Sequence, residues 1–155
     1  ARLVVADVDQ ARVELARRQF GAEIVDVERI HAVQADVFSP NALGASLNAA
    51  TIPELGAPVI CGGANNQLAT SADGDRLARR GIVYAPDYVV NAGGIINVMA
   101  EYLKEPADAI EARVRAIADR VHEILGIAKA EHTATHAVAD RMARDRIDRS
   151  VRPAA

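Results

Sequence analysis

Short apolar runs alternate with helix-length segments as far as Tyr84, and this alternation constrains the fold more than any other feature of the chain. Leu3–Ala6, Glu23–Val25, Val37–Phe38, Val59–Cys61 and Ile82–Tyr84 read as strands. Between them, Gln10–Phe20 carries Val13, Leu15, Ala16 and Phe20 at mostly helical spacing before a Gly21 cap. Ala45–Ala50 reads as a short helix stopped by Pro53, and Asp73–Arg80 as a helix closed by Gly81. Strand and helix in turn predict a mostly parallel sheet with helices on both faces, where ligands sit beyond the carboxyl ends of the strands.

After Asn91 the pattern becomes helical. One helix is expected to about Lys104, a second from about Pro106 to Lys129, and a third from about Thr135 to Asp148. Pro106 suits the first turn of the long helix. Its Ile110, Val114, Ile117, Val121, Ile124, Leu125 and Ala128 recur three and four apart, which predicts one buried face. Arg152-Pro153-Ala154-Ala155 reads as a frayed end. With no repeat, low-complexity tract or linker, the 155 residues read as one domain, 1–155.

Charge and residue usage exclude several classes. A net charge of −3 supplies no basic field, and 3 % aromatics supply no stacking platform, so nucleic acid is not an expected partner. A single cysteine, Cys61, rules out an internal disulfide framework, fits a reducing cytoplasm, and on an apolar strand reads as a small buried hydrophobe. No apolar run reaches the ~20 residues that span a bilayer, so no membrane contact is expected and the cytoplasm is the expected location. The opening Ala1 to Asp7 is already a buried-type strand without an initiator Met, and reads as the interior of a longer protein.

Where chemistry is concerned, Tyr84 to Asn97 stands out. Pro86 breaks any helix, Gly93 and Gly94 leave the backbone uncovered, and Asn91 offers an amide at the junction of a strand and a helix. Asp7 ends a strand before a helix, where a dinucleotide-binding fold places an acid for the adenosine ribose; an Asp there also serves simply to cap the next helix or turn. In that fold the acid follows the glycine loop by about 20 residues, whereas only Ala1 to Ala6 precede Asp7, and no G-x-G-x-x-G occurs. The expected architecture is therefore Rossmann-like but lacks the first strand and glycine-rich loop, and it ends in a helical tail. Since that strand normally sits at the centre of the sheet, its absence leaves two open edges.

The other candidates are weaker taken singly. Gly62-Gly63-Ala64-Asn65-Asn66 and Ser39-Pro40-Asn41-Ala42-Leu43-Gly44-Ala45 each follow a strand and read as turns or as cofactor contacts. His132 and His136 have a metal-ligand spacing without the H-E-x-x-H pattern and read as surface histidines; His31 and His122 stand alone. Ile95, Val98 and Met99 read as helix core.

Together these segments carry a resemblance. Ala6-Asp7, Asp36 to Ala45, Gly63-Ala64-Asn65-Asn66-Gln67-Leu68, Tyr84 to Asn97 and Ala137-Val138-Ala139-Asp140-Arg141 are similar to the C-terminal NAD-binding domain of the glutamate/leucine/phenylalanine/valine dehydrogenase family. The leucine dehydrogenase branch looks nearest, and the similarity runs from about Leu3 to Ile147. It implies an NAD-dependent oxidation of an apolar L-amino acid, branched-chain or other, to the 2-oxo acid, with release of ammonia and NADH.

By matching position, the resemblance implies that Asp7 binds the adenosine ribose, that Ala42, Ala64 and Asn65 line the nicotinamide ribose, and that Asn91 holds the nicotinamide amide or the substrate carboxylate. It places Ile95 and Val98 against the substrate side chain. An Asp at position 7 would repel a 2′-phosphate, so NAD is favoured over NADP. Asn41 departs from the family, many members of which carry Cys there. The resemblance also implies a homo-oligomer, an upstream substrate domain holding the proton-transfer lysine and aspartate, and no catalytic residue in this chain, since neither Lys104 nor Lys129 has a matching context. An inactive remnant, or a non-catalytic nucleotide-binding or interaction module, remains the alternative.

Overall fold

The computed structural model describes residues 1–151. Strand β1 (Val4–Val5) leads into α1 (Gln10–Phe20), which Asp9 opens by accepting the Ala11 amide at 2.9 Å and Gly21 ends in the left-handed conformation, φ 65°. Strand β2 (Glu23–Ile24) returns parallel to β1, with Val4 opposite Glu23. Strands β3 (Val37–Phe38), β4 (Val59–Ile60) and β5 (Val83–Tyr84) form a second parallel sheet in the order β3-β4-β5. All five strands stand where the apolar runs predict them, β3 with the expected bounds and the others shorter by one or two residues. β1 pairs only with β2, and β3 only with β4 on its side of the sheet, so each keeps one unpaired edge among the described residues.

Helix α2 (Ser71–Arg79) packs on β5, and the helical tail follows as a short α3 (Asp87–Val90), α4 (Gly93–Leu103), α5 (Ala107–Glu131) and α6 (Thr135–Val151). The fold is a mixed α/β, Rossmann-like arrangement. One core gathers Leu47, Ile52, Leu55, Ile60, Leu77, Ile82 and Tyr84 around β4 and β5. A second joins Ile124 and Ala128 of α5 to Val138 and Ala139 of α6. The residues 152 to 155, expected to fray, lie outside the described ones.

Four expectations are corrected. Ala45–Ala50 is not a helix: Ala45 takes φ 58°, donates its amide to Asn66 O at 2.7 Å, and Leu47 runs parallel to Leu68 as an isolated bridge. Backbone pairing with the next segment, together with complete burial of Leu47, outweighs the helix propensity of an alanine-rich stretch. Pro53, expected to stop that helix, sits instead within a 3-10 turn, Ile52–Glu54. The apolar face of α5 is buried only towards its end, with Ile124 and Ala128 enclosed while Val114 is 41 % exposed. At that end Val138 and Ala139 of α6, with Val89 of α3 and Met142 of α6 packed beside them, close over Ile124 and Ala128.

The third correction is Cys61, which is exposed because β4 ends at Ile60 and the chain is already leaving the sheet. The fourth is His136. It lies in the first turns of α6 against α2, only 9 % exposed, and takes the space that Gly74 leaves; a Cβ at position 74 would overlap its ring. His132 instead caps α5 at φ 52° and is exposed, so the pair does not converge as metal ligands would.

Candidate functional site

Parallel strands put their carboxyl ends on one side, and in the three-stranded sheet the loops that leave those ends are bonded to one another. After β3, Pro40 accepts the Ala64 amide at 2.9 Å, and the Asn41 side chain accepts the Gly63 amide at 2.9 Å. Gly62 lies so close to Pro40 that an added Cβ would overlap the proline carbonyl oxygen, and a Cβ at Gly44 would stand 2.9 Å from both Asn65 O and Asn66 O. Glycine at these two positions is required by the close approach of backbone to backbone. Ala45 and Asn66 both take positive φ, 58° and 54°, where they join the two loops. Non-glycine residues held there store strain, and such residues gather at ligand sites.

The third loop is fixed by a buried pair that the sequence reading did not single out. Asp87, 5 % exposed at the start of α3, accepts the Gln67 amide at 2.8 Å through Oδ2 and the Tyr88 amide at 2.8 Å through Oδ1. Gln67 is fully buried and donates Nε2 to Gly62 O at 2.8 Å and Ala64 O at 3.0 Å. Asn91 then caps α3 and donates Nδ2 to Asn65 Oδ1 at 2.8 Å. A Gln five residues beyond Gly62 and an Asp directly after Pro86 were the available signal: polar residues inside otherwise apolar strand-end segments need partners if they are buried.

Helix α6 holds the same segment from outside. Thr135 Oγ1 donates to Tyr84 O at 2.6 Å, and the Tyr88 hydroxyl donates to Asp140 Oδ1 at 2.7 Å and His136 O at 3.2 Å. Burial raises the pKa of the Tyr88 hydroxyl, and its bond to Asp140 raises it further, so it remains a proton donor through the neutral range.

Of the predicted site residues, the structure brings Ala42, Ala64, Asn65 and Asn91 onto these connected loops. Ala64 is buried with its amide and carbonyl both engaged, so it contributes shape, whereas Ala42, Asn65 and Asn91 are exposed. Asp7 stands at the end of β1 in the other sheet, and no hydrogen bond ties it to these loops among the described residues. One of its oxygens accepts the Asp9 amide at 2.9 Å, and Asp9, not Asp7, caps α1. Asp7 Oδ2 has no hydrogen-bond partner among the described residues.

Ile95 and Val98, three apart on α4, are 61 % and 59 % exposed, so they do not form core within this chain. Met99 is 40 % exposed and is likewise not core. A groove of about 640 Å³ lies elsewhere, between α3, α5 and α6, lined by Tyr88, Val89, Ile117, Met142 and Ile147. It does not include Asn65 or Asn91.

Chemically, the Asn65–Asn91 contact uses one donor and one acceptor, and Asn91 Oδ1 and Asn65 Nδ2, at the ends of β5 and β4, have no hydrogen-bond partner among the described residues. That donor and acceptor set matches a primary carboxamide, and a carboxylate can take the donor half.

The sequence profile described as Glutamate/Leucine/Phenylalanine/Valine dehydrogenase matches residues 3–152. The chain is 44 % identical over 147 residues to a leucine dehydrogenase of Bacillus cereus, covering 95 % of this chain and 40 % of that protein. It is 45 % identical over 152 residues to an L-tryptophan dehydrogenase of Nostoc punctiforme, covering 97 % and 43 %. A phenylalanine dehydrogenase of Thermoactinomyces intermedius is 41 % identical over 145 residues, covering 92 % and 40 %. The crystal structure of the Nostoc punctiforme L-tryptophan dehydrogenase superposes with a TM-score of 0.90 at 42 % identity, over 96 % of this chain and 45 % of that one. The chain thus spans less than half the length of these relatives. A profile match across nearly the whole chain, carried on the same parallel α/β frame, places the chain in the glutamate/leucine/phenylalanine/valine dehydrogenase family.

Proposed function

We propose that this chain is the cofactor-binding portion of an NAD-dependent amino acid dehydrogenase that oxidises an apolar L-amino acid to its 2-oxo acid and ammonia. The observation that carries this is the 2.8 Å contact of Asn91 with Asn65, which presents a paired amide oxygen and amide nitrogen where a nicotinamide carboxamide or a substrate carboxylate would dock. Bound NAD would supply the acceptor for the hydride leaving the amino acid's α-carbon.

The chain's own residues fit that cofactor at both ends. At the adenosine end, Asp7 keeps one carboxylate oxygen for the ribose hydroxyls, and its charge disfavours a 2′-phosphate, hence NAD over NADP. At the nicotinamide end, Ala42 and the Ala64-Asn65 turn line the ribose. Asn91 orients the carboxamide or the substrate carboxylate, and Ile95 and Val98 offer aliphatic surface to the side chain of a branched or other apolar amino acid. A charged substrate side chain would find no partner beside Ile95 and Val98.

The proton-transfer groups belong, on this reading, to an upstream substrate domain, and no residue of this chain is assigned to that step, so the chain alone is inactive. The unpaired edges of β1 and β3 support the same reading, because an upstream strand would give both a partner. Assembly as a homo-oligomer and a cytoplasmic location complete the proposal. Among the described residues, no helix is long and apolar enough to cross a membrane.

The test is to express the longer protein that carries this chain and follow NADH formation with L-leucine, L-valine, L-isoleucine, L-phenylalanine and L-tryptophan. Turnover with at least one, and with NAD well above NADP, is expected; no turnover with any of them would sink the proposal.

A further inference from the structure

We propose that Asn41 is a positioning residue that sets the nicotinamide end of the NAD site, by locking the loop after β3 onto the loop after β4. The inference rests on the cofactor-domain reading and adds to it a role for a side chain that need not touch the cofactor.

The amide of Asn41 is bonded at both its nitrogen and its oxygen. Its Oδ1 accepts the Gly63 amide at 2.9 Å, and its Nδ2 donates to Ser39 O at 2.9 Å and to Ser39 Oγ at 3.0 Å. The group is therefore held rigidly from its own loop while it reaches across to the next. Gly63 N–H has no other hydrogen-bond partner among the described residues. Two further ties flank this one: the Ala64 amide on Pro40 O at 2.9 Å, and the Ala45 amide on Asn66 O at 2.7 Å. Between them lie Ala42 on one loop and Ala64 and Asn65 on the other, the residues proposed to line the nicotinamide ribose.

Both flanking ties are backbone to backbone, so only the Asn41 tie can be removed by substituting a side chain. Without it, Gly62-Gly63 is a glycine pair with an unbonded amide. The conformational freedom of such a pair would have to be lost again on each binding event. Asn41 is also exposed, so its truncation opens no cavity in either core.

The experiment compares Asn41→Ala and Asn41→Asp with the parent longer protein, measuring KM for NAD, KM for the amino acid, kcat, and hydrogen exchange at the Gly63 amide. Asn41→Ala should expose Gly63 to exchange and raise KM for NAD about fivefold, the scale of one lost hydrogen bond, with KM for the amino acid within about twofold of the parent. Asn41→Asp keeps an oxygen for Gly63 but gives up the two donations to Ser39, so it should recover part of the protection and a matching part of the affinity. A merely structural role would instead lower thermal stability or the active fraction without moving KM for NAD alone.

Parent-like KM for NAD in Asn41→Ala overturns the inference. So does an Asn41→Asp protein that protects Gly63 yet binds NAD as weakly as the alanine variant. A parent protein that neither binds NAD nor turns over fails at the earlier step, removing the cofactor reading and this inference together.

Discussion

Asn91 Nδ2 donates to Asn65 Oδ1 across 2.8 Å, and this one bond joins the carboxyl end of β5 to that of β4 at the proposed nicotinamide site. Each asparagine orients the other, so their effects on turnover should not add. Asn91→Ala is expected to lower kcat/KM at least about tenfold, or ~1.4 kcal/mol of transition-state stabilisation. Asn65→Ala should cost less, and the double variant should lose less than the sum of the two. A double-mutant cycle on kcat/KM checks this, and strict additivity would remove the pair from the account.

At the end of β1, Asp7 holds the Asp9 amide with one oxygen, and its other oxygen has no partner among the described residues. Asp7→Ser should therefore raise KM for NAD about tenfold, the scale of a charge-assisted hydrogen bond, and narrow the preference over NADP. Helix α1 should survive, since Asp9 provides its cap. Steady-state kinetics with both cofactors, beside a far-ultraviolet circular dichroism spectrum, separates the two effects.

Gly74 and His136 share one space. Gly74→Ala forces a Cβ into the imidazole and should destabilise the protein by about 1–3 kcal/mol. In the His136→Ala background the same substitution should cost far less, because the obstructing ring is gone. Urea unfolding of the four proteins measures the coupling; equal costs in the two backgrounds would mean that the α2–α6 packing is not as described.

Asp73 carries the clearest dependence on pH. Burial pushes its carboxyl upward, but the Thr70 amide and hydroxyl, bonded to it at 2.9 and 2.8 Å, and Arg76 at 2.6 Å outweigh burial and hold it below the ordinary 3.8. The unfolded chain thus takes up this proton at higher pH than the folded one. The group's contribution to stability is present above about pH 3.8 and is lost as the pH falls through the lower folded value. Asp73→Asn should be less stable than the parent near neutrality, with the gap closing on acidification. Urea midpoints on both sides of that pH read the difference.

Strand placement was legible because each apolar run is bounded by Gly, Pro or Asp, and the helical tail was legible from its spacing of three and four. What escaped was decided by distant partners. The Ala45–Ala50 stretch is helix-forming by composition, yet Leu47 gains more by pairing beside Leu68 and burying its side chain completely. His136 looked superficial until Gly74, more than sixty residues earlier in the chain, vacated a space for it. At the site, Asn65 and Asn91 were recognisable by position. Asp87 and Gln67, which hold them there, were not, since a buried hydrogen bond between residues 20 apart leaves no periodicity to find.

The most direct measurement is a crystal structure of the longer protein with NAD bound. The adenosine ribose is expected on Asp7, the nicotinamide ribose beside Ala42 and Asn65, and the carboxamide within hydrogen-bond distance of Asn91 or Asn65. NAD bound away from the carboxyl ends of β1, β3, β4 and β5, or a nicotinamide ring turned away from the Asn65–Asn91 pair, would contradict this placement.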